Sequence, residues 1–136
     1  MPADEFEELA ATWFEKARDD LQCAQHDFDG QFYTQTCFGC QQAVEKALKA
    51  YLFSRHVELI RTHILPRLLV RCVDFDQDFR QMEAGCDLLT DYYIDTRYPE
   101  IGVSYTKEMA REAIELAGRV LGFVEERVAL VRKHRG

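Results

Sequence analysis

Apolar residues recur every three or four positions over the first part of the chain, from residue 4 to about residue 26. This spacing places side chains on one face of an α-helix, so the segment predicts a first amphipathic helix. Its predicted buried face consists of Phe6, Leu9, Ala10, Trp13, Ala17, Leu21 and Ala24. Turn residues follow at 27–30. A second helix is then predicted from about residue 32 to residue 55, with Cys37, Phe38, Val44, Ala47, Leu48, Tyr51 and Leu52 on its inward side.

The middle of the chain predicts a short helix followed by a longer one. Thr62 is the expected N-cap of the short helix, which covers roughly residues 63–72 and has Pro66 near its first turn. Aspartates mark the next break. A fourth helix then runs to about residue 93, and its inward candidates are Phe79, Met82, Cys86, Leu89 and Tyr93.

The last third of the chain contains one loop and one long helix. Residues 94–105 show no hydrophobic periodicity, and we interpret them as a loop. Thr106 is the predicted cap of the last helix, which is acidic in its early turns and basic at its end, as the helix dipole favours. Four long helices and one short helix, without alternating strand patterns, predict an all-α fold, an antiparallel up-and-down helical bundle. We expect residues 1–136 to form a single domain of this kind.

The charge balance narrows the class of partner. The chain has 17 Lys and Arg against 24 Asp and Glu, for a net charge of −7, which argues against a protein that coats duplex DNA. No segment approaches the ~18 uninterrupted apolar residues of a membrane helix. The first ten residues, MPADEFEELA, are acidic where a signal peptide is basic. We therefore expect a cytoplasmic protein without a membrane segment.

The five cysteines predict reduced thiols, because their number is odd and no export signal is present. Cys37 and Cys40 form one C-x-x-C motif. A zinc site usually needs a second pair of ligands, and a redox motif needs a strand-to-helix context, neither of which the sequence provides. We interpret both thiols as core residues, and we predict no metal and no cofactor.

Four segments occur in the order that is typical of one family. They are residues 13–21 (WFEKARDDL), 41–50 (QQAVEKALKA), 62–69 (THILPRLL) and 97–99 (RYP). In this order the chain resembles the HEPN family over nearly its whole length. The resemblance implies a small antiparallel helical bundle, commonly a homodimer, that is often partnered with a minimal nucleotidyltransferase and linked to nucleotide or RNA chemistry.

Many HEPN proteins are metal-independent ribonucleases or toxins that use an Arg followed four to six residues later by a His. His63 does not satisfy this spacing, because seven residues separate it from Arg55. Arg127 and His134 enclose six residues, but we expect them in a fraying C-terminal tail, which is a poor place for an acid/base pair. The resemblance is therefore closer to the branch of the family without this motif.

Six residues in these segments are candidates for binding phosphate or a nucleotide. Lys and Arg side chains are the usual phosphate ligands, and a tyrosine ring can stack on a base. The candidates are Lys46, Lys49, Arg61, His63, Arg97 and Tyr98. Among them, His63 and Arg97 are the weak candidates for catalysis.

Each candidate also has a structural interpretation. Lys46 and Lys49 are more often a solvated helix face, and Glu45 with Lys49 forms a favourable i, i+4 pair in an exposed setting. A structural hydrogen bond is the commoner role for His63. Arg97, in a loop, needs an acidic partner such as Asp20, Glu45 or Asp95 if it does not bind a ligand.

Two functions of different classes follow from these residues. The first is a nucleotide- or RNA-associated module, dimeric and not catalytic alone, with a minimal nucleotidyltransferase partner in a toxin–antitoxin-like pair. The second is a ribonuclease toxin with a divergent site drawn from Arg61, His63 and Arg97, in which His is the acid/base and Arg stabilises the phosphate. A purely structural helical adaptor is a third interpretation. The missing Arg-to-His spacing favours the first function and argues against enzymatic activity.

Overall fold

Five α-helices and one short 3-10 helix make up the described structure. The computed structural model describes residues 2–97 and 104–135, and the side chains of residues 2–92 and 104–134. Over these ranges the chain contains no β-strand. The elements are α1 (Ala3–Asp29), α2 (Tyr33–Ser54), α3 (Leu65–Phe75), a 3-10 helix (Gln77–Met82), α4 (Glu83–Arg97) and α5 (Lys107–Arg135). The all-α prediction is confirmed.

Helices α1 and α2 form an antiparallel hairpin. Near one end, the ring centroids of Trp13 and Phe53 lie 5.7 Å apart. Near the other end, the Thr36 hydroxyl donates to the carbonyl oxygen of Ala24 at 3.3 Å. The connection between the helices is three residues long, and Gln31 turns the chain with a φ of 67°. Such a short connection brings consecutive helices side by side, as in the predicted up-and-down bundle.

Helix α2 is the centre of the bundle. Fifteen of its 22 residues are buried, so it has neighbours on almost every side. Its Tyr51 ring lies 4.5 Å from the Phe79 ring of the 3-10 helix, and Phe79 in turn lies 4.8 Å from Phe123 of α5. These rings join three elements around one core. Polar residues of α2 that face this core must therefore find partners inside the protein.

The structure corrects three predicted boundaries and confirms one cap. Thr62 does not cap α3, which begins at Leu65 after the N-cap Ile64, because Pro66 fits the first turn of a helix. The Thr62 hydroxyl instead accepts a hydrogen bond from the backbone N–H of Ile64 at 3.1 Å. At the start of α5, the Thr106 hydroxyl accepts from the N–H of Met109 at 3.1 Å, as predicted.

The other two corrections concern helix ends. Helix α1 continues to Asp29 instead of ending near residue 26, since the N–H of Gly30 still donates to the carbonyl of His26 at 3.0 Å. Helix α4 continues to Arg97, so residues 94–97 are helical and not part of a loop. Pro99 disfavours a helical conformation only for the residue before it, whereas residues 94–97 contain no helix breaker.

Candidate functional site

A buried carboxylate lies at the centre of the candidate site. Glu45, in the middle of α2, is only 4% exposed. Its Oε1 lies 2.8 Å from His63 Nδ1, and its Oε2 accepts from Lys49 Nζ at 3.0 Å. Each carboxylate oxygen thus has its own partner. A charge removed from water is tolerated only with such pairing.

His63 lies in the segment between α2 and α3, and two contacts hold it there. Gln41 Nε2 donates to the backbone carbonyl of His63 at 3.1 Å, and Gln41 Oε1 in turn accepts from Gln42 Nε2 at 2.6 Å. An ionised carboxylate only accepts hydrogen bonds, so Nδ1 is the donor in this contact with Glu45. The His63 side chain is nevertheless 52% exposed. An oriented imidazole is therefore presented at the surface.

Lys49 is not on a solvated face of α2. Its side chain is buried, bound to Glu45, and its ammonium lies 5.5 Å from the centroid of the Trp13 indole of α1. The predicted exposed pair of Glu45 and Lys49 exists, but it is an internal ion pair. The position of Lys49 makes it a structural partner of Glu45 more than a ligand for phosphate.

Lys46, three residues earlier, points to a different neighbour. It forms an ion pair with Asp20 of α1, and both side chains are about three-quarters buried. The sequence makes Asp20 a candidate partner of Arg97, whereas the structure shows it bound to Lys46. The positive charge of Lys46 is thereby compensated within the α1–α2 hairpin.

The remaining candidates differ in what the structure describes. Arg61 is exposed in the segment between α2 and α3, and it forms no ion pair with any described residue. Arg97 is the last residue of α4, and its side chain lies outside the described residues. Tyr98 lies outside them entirely. The structure therefore brings His63 and Lys49 together around Glu45, with Lys46 on the adjoining turn.

The sequence interpretation paired Glu45 with Lys49 in an exposed setting, and it missed the burial of Glu45 and the contacts of Gln41 and Trp13. One signal for Glu45 was available. From residue 43 to residue 54 the only charged residues are Glu45, Lys46 and Lys49, and the rest are almost all apolar. A helix that is apolar nearly all round is buried, and the charged residues on it then have to pair internally.

The cysteines contribute packing in the described structure. Cys37 and Cys40 are fully buried, and burial raises the pKa of each thiol to about 12. Within residues 2–92 and 104–134, no three His, Cys, Asp or Glu side chains are grouped as metal ligands would be. In the described helices, no stretch is both long enough and apolar enough to cross a membrane.

Arg127 and His134 both lie within helix α5, and Arg127 is paired with acidic residues outside that helix. Helix α5 continues to Arg135, and Arg127 Nη1 lies 2.8 Å from Asp76 Oδ2 and 3.2 Å from Asp78 Oδ2. These ion pairs attach α5 to the start of the 3-10 helix. Acidic residues far away in sequence therefore hold Arg127, a contact that the sequence interpretation missed.

Comparisons with known proteins agree with this architecture. Residues 10–127 match the family model of the HEPN domain. The crystal structure of TT1696 from Thermus thermophilus is 36% identical, with a TM-score of 0.75 over 86% of this chain and 96% of that one. The crystal structure of ST0689, an archaeal HEPN homologue, is 27% identical, with a TM-score of 0.66 over 88% of this chain and 97% of that one. No curated protein matches the chain.

Proposed function

This chain belongs to the HEPN family, and from that premise we propose that it is a nucleotide- or RNA-associated module that acts as a homodimer with a minimal nucleotidyltransferase partner. The family is linked to nucleotide- and RNA-related functions, and HEPN domains commonly dimerise. The observation that carries the proposal is the contact between Glu45 and His63. It supports a surface imidazole held by Glu45, two positions after an exposed arginine, Arg61, in the same segment.

The chemistry of this surface suits phosphate oxygens. An N–H of imidazole is a directed donor, and a guanidinium has five donors in a planar fork that matches phosphate geometry. Lys46 and Lys49 have their charges compensated by Asp20 and Glu45, so they contribute less than the sequence suggested. Arg97 and Tyr98 remain proposed ligands, because both belong to the segment at residues 97–99 (RYP) that contributes to the family resemblance.

Binding is tested by titrating the protein with ATP, with GTP and with a short single-stranded RNA in a calorimeter. Charge-assisted hydrogen bonds to phosphate are worth about 1.5–3 kcal/mol, so His63→Ala and Arg61→Gln should each weaken binding by about tenfold or more. Arg67→Gln, on the exposed face of α3, is a matched control that should bind like the parent. Equal affinity for the parent, His63→Ala and Arg61→Gln would reject this surface as the ligand site.

The assembly is tested separately. Sedimentation of the purified protein at micromolar concentration should give a dimer, and a minimal nucleotidyltransferase encoded beside this chain should copurify with it when both are expressed together. A 15.9 kDa monomer at every concentration would contradict the dimer. A neighbouring nucleotidyltransferase that never associates with this chain would contradict the proposed pair.

The same contact favours a second candidate function, a metal-independent ribonuclease. A carboxylate that orients an imidazole is a common support for a general acid/base, and in this candidate function Arg61 or Arg97 would stabilise the charged phosphate in the transition state. This candidate predicts cleavage of RNA in the presence of EDTA, and it predicts that His63→Gln abolishes the cleavage. RNA that is bound but never cleaved would favour the first function.

A further inference from the structure

A groove between α3 and α4 lies apart from the site described above. It has a volume of about 310 Å³. Its two walls differ in chemistry, because α3 contributes apolar side chains, whereas the 3-10 helix and α4 contribute charged ones. The apolar wall consists of Pro66, Leu69, Val70 and Val73. Neither Glu45 nor His63 lines the groove, so it is a separate feature of the surface.

The apolar wall is a continuous stripe along α3. Its residues follow one another at short steps that place them on one face of the helix. Pro66 and Val73 are seven positions apart, which corresponds to about 10 Å along the helix axis, or about two turns. Val70, in the middle of the stripe, is 57% exposed. An apolar stripe in a concave groove with a charged rim is typical of an interaction site.

The opposite wall has two carboxylates without partners among the described residues. Glu83 and Asp87 are exposed and lie one turn apart on α4, and neither side chain forms an ion pair or a hydrogen bond with a described residue. Glu83 is in the first turn of α4, where the helix dipole favours an acid, but Asp87 lies beyond that turn. Arg80 comes three positions before Glu83 and lines the same wall. Along the chain this wall is therefore positive first and then negative twice.

We propose that this groove binds an amphipathic helix of a partner protein, whose apolar residues cover Val70 and whose Lys or Arg residues pair with Glu83 and Asp87. The space between two helices accommodates a third helix through apolar residues at positions i, i+3 or i+4, and i+7. These positions span about two turns, which is the length of the stripe on α3. Basic residues one turn apart on the partner then face carboxylates that are also one turn apart. Arg80 repels a basic residue at its end of the groove, so the charges also select the direction of the helix.

The charges of the groove favour this occupant over two others. A nucleic acid would bring its phosphate groups against Glu83 and Asp87, which is unfavourable. A second copy of this chain, docked by a two-fold contact, would place four carboxylates and two Arg80 side chains in one interface. Negative charge would then remain uncompensated, whereas a basic helix compensates it. The net charge of −7 adds a general attraction for a basic partner.

The test uses two synthetic helical peptides as probes for the groove. Both have leucines at positions i, i+3, i+4 and i+7, and they differ only in having Lys or Glu at the flanking positions. Fluorescence anisotropy of the labelled peptides measures their binding to the full chain. We expect the Lys peptide to bind at least about tenfold more tightly than the Glu peptide, a difference of about 1.4 kcal/mol. The difference should shrink at high salt, because exposed charges are screened.

Two variants test the two walls separately. Val70→Asn should weaken binding of the Lys peptide by about tenfold or more, because an amide that has to lose its water replaces an apolar contact. The double variant Glu83→Lys with Asp87→Lys should invert the preference, so that the Glu peptide binds more tightly. All three positions are exposed, so the core is left intact. Circular dichroism of each variant verifies the helices.

Each variant has a matched control elsewhere on the surface. Glu108 and Glu112 are exposed and one turn apart on α5, and neither lines the groove. The double variant Glu108→Lys with Glu112→Lys should therefore keep the preference of the parent for the Lys peptide. Leu130 is an exposed apolar residue outside the groove, so Leu130→Asn should bind the Lys peptide like the parent.

The same measurements define the results that would overturn the proposal. Equal affinity for the two peptides, or no binding of either, would reject a basic helix as the occupant. A preference that Glu83→Lys with Asp87→Lys does not invert would reject the groove as the site. A dimer that Val70→Asn converts to a monomer would identify a second copy as the occupant, and RNA binding that Val70→Asn weakens would identify a nucleic acid. His63→Ala leaves this groove intact, so a failure of the proposed function at His63 and a failure here are distinguishable.

Discussion

Glu45 Oε1 lies 2.8 Å from His63 Nδ1, and this contact joins the middle of the most buried helix to the segment before α3. The two residues have opposite environments. Glu45 is almost inaccessible, whereas half of the His63 side chain faces solvent. Because Glu45 is held in the packed core, its contact with His63 restricts the motion of the surface imidazole. A flexible loop residue without such a partner would lose more entropy on binding a ligand.

The first prediction concerns the stability of the buried carboxylate. Glu45→Gln should lower the free energy of unfolding by about 3 kcal/mol, because it leaves the buried ammonium of Lys49 without a counter-charge. Urea unfolding followed by circular dichroism measures the change. The double variant Glu45→Met with Lys49→Met should recover most of the loss, since it removes both charges together.

Asp20→Asn is the control for an ion pair that is less buried. Its partner Lys46 keeps access to solvent, so we expect a loss of about 1 kcal/mol or less. If Glu45→Gln were as stable as the parent, the ion pair with Lys49 would not be a structural element. The interpretation of Lys49 as a phosphate ligand would then regain support.

The second prediction concerns the aromatic contact at the centre of the core. Phe79→Ala should destabilise the protein by about 3–5 kcal/mol, because it opens a cavity between Tyr51 and Phe123. Phe32→Ala is the control, since Phe32 is 56% exposed and should change stability by about 0.5 kcal/mol or less. Thermal unfolding of both variants checks the difference. Similar melting temperatures for the two variants would contradict this picture of the core.

Much of the fold follows from the sequence because hydrophobic periodicity is a local property. The stripe through Phe6, Ala10, Ala17 and Ala24 predicted α1, and these residues are buried. The cap at Thr106 was also predictable, because its hydroxyl accepts from the N–H of Met109, only three positions later in the sequence. The start of α3 was not predictable in the same way, because Thr62 is the better N-cap residue by type. The N-cap is Ile64 instead, since Pro66 fits the first turn of the helix that follows it.

The candidate site was less predictable because it depends on long-range packing. Nothing within residues 41–50 shows that Glu45 has His63 as a partner, 18 positions away in sequence. Lys49 has the local signature of a surface residue, and only the position of α1 across α2 places it beside Trp13. Asp76 and Arg127 are 51 positions apart, so the local sequence could not predict their ion pair either. Tertiary contacts override local propensity at such positions.

The third prediction concerns thiol reactivity. Cys23 is exposed, whereas Cys37, Cys40, Cys72 and Cys86 are buried. The thiolate is the reactive form, and burial raises the pKa of Cys37, Cys40 and Cys86 to about 12. At pH 8 iodoacetamide should therefore modify one thiol rapidly in the native protein and all five in urea. Mass spectrometry counts the adducts.

Cys23→Ser is the matched variant for that experiment, and it should eliminate the rapid phase without changing the helical signal. The variant Cys37→Ala with Cys40→Ser should also fold, with modest destabilisation, because both thiols fill core space. Rapid modification of three or more thiols in the native protein would contradict their burial. Stoichiometric zinc in the purified parent that is lost from the double variant would contradict their role as packing residues.

The last prediction concerns alkaline pH, and its direction follows from the buried thiols. A cysteine titrates near 9.0 in the unfolded chain, whereas burial raises the pKa of Cys86 to about 12 in the folded protein and raises that of Cys72 well above 9.0. Below pH 9 the thiols are neutral in both states. As the pH rises from 9 towards 12, the unfolded chain releases these protons first, so unfolding becomes more favourable. The free energy of unfolding should therefore fall above pH 9, by up to about 1.4 kcal/mol per pH unit for each such thiol. Urea unfolding at pH 8, 9, 10 and 10.5 measures the slope, and Cys86→Ala should be less stable at pH 8 but should show a shallower decline. A free energy that stays constant from pH 8 to pH 10.5 in the parent would show that the buried thiols do not control alkaline stability.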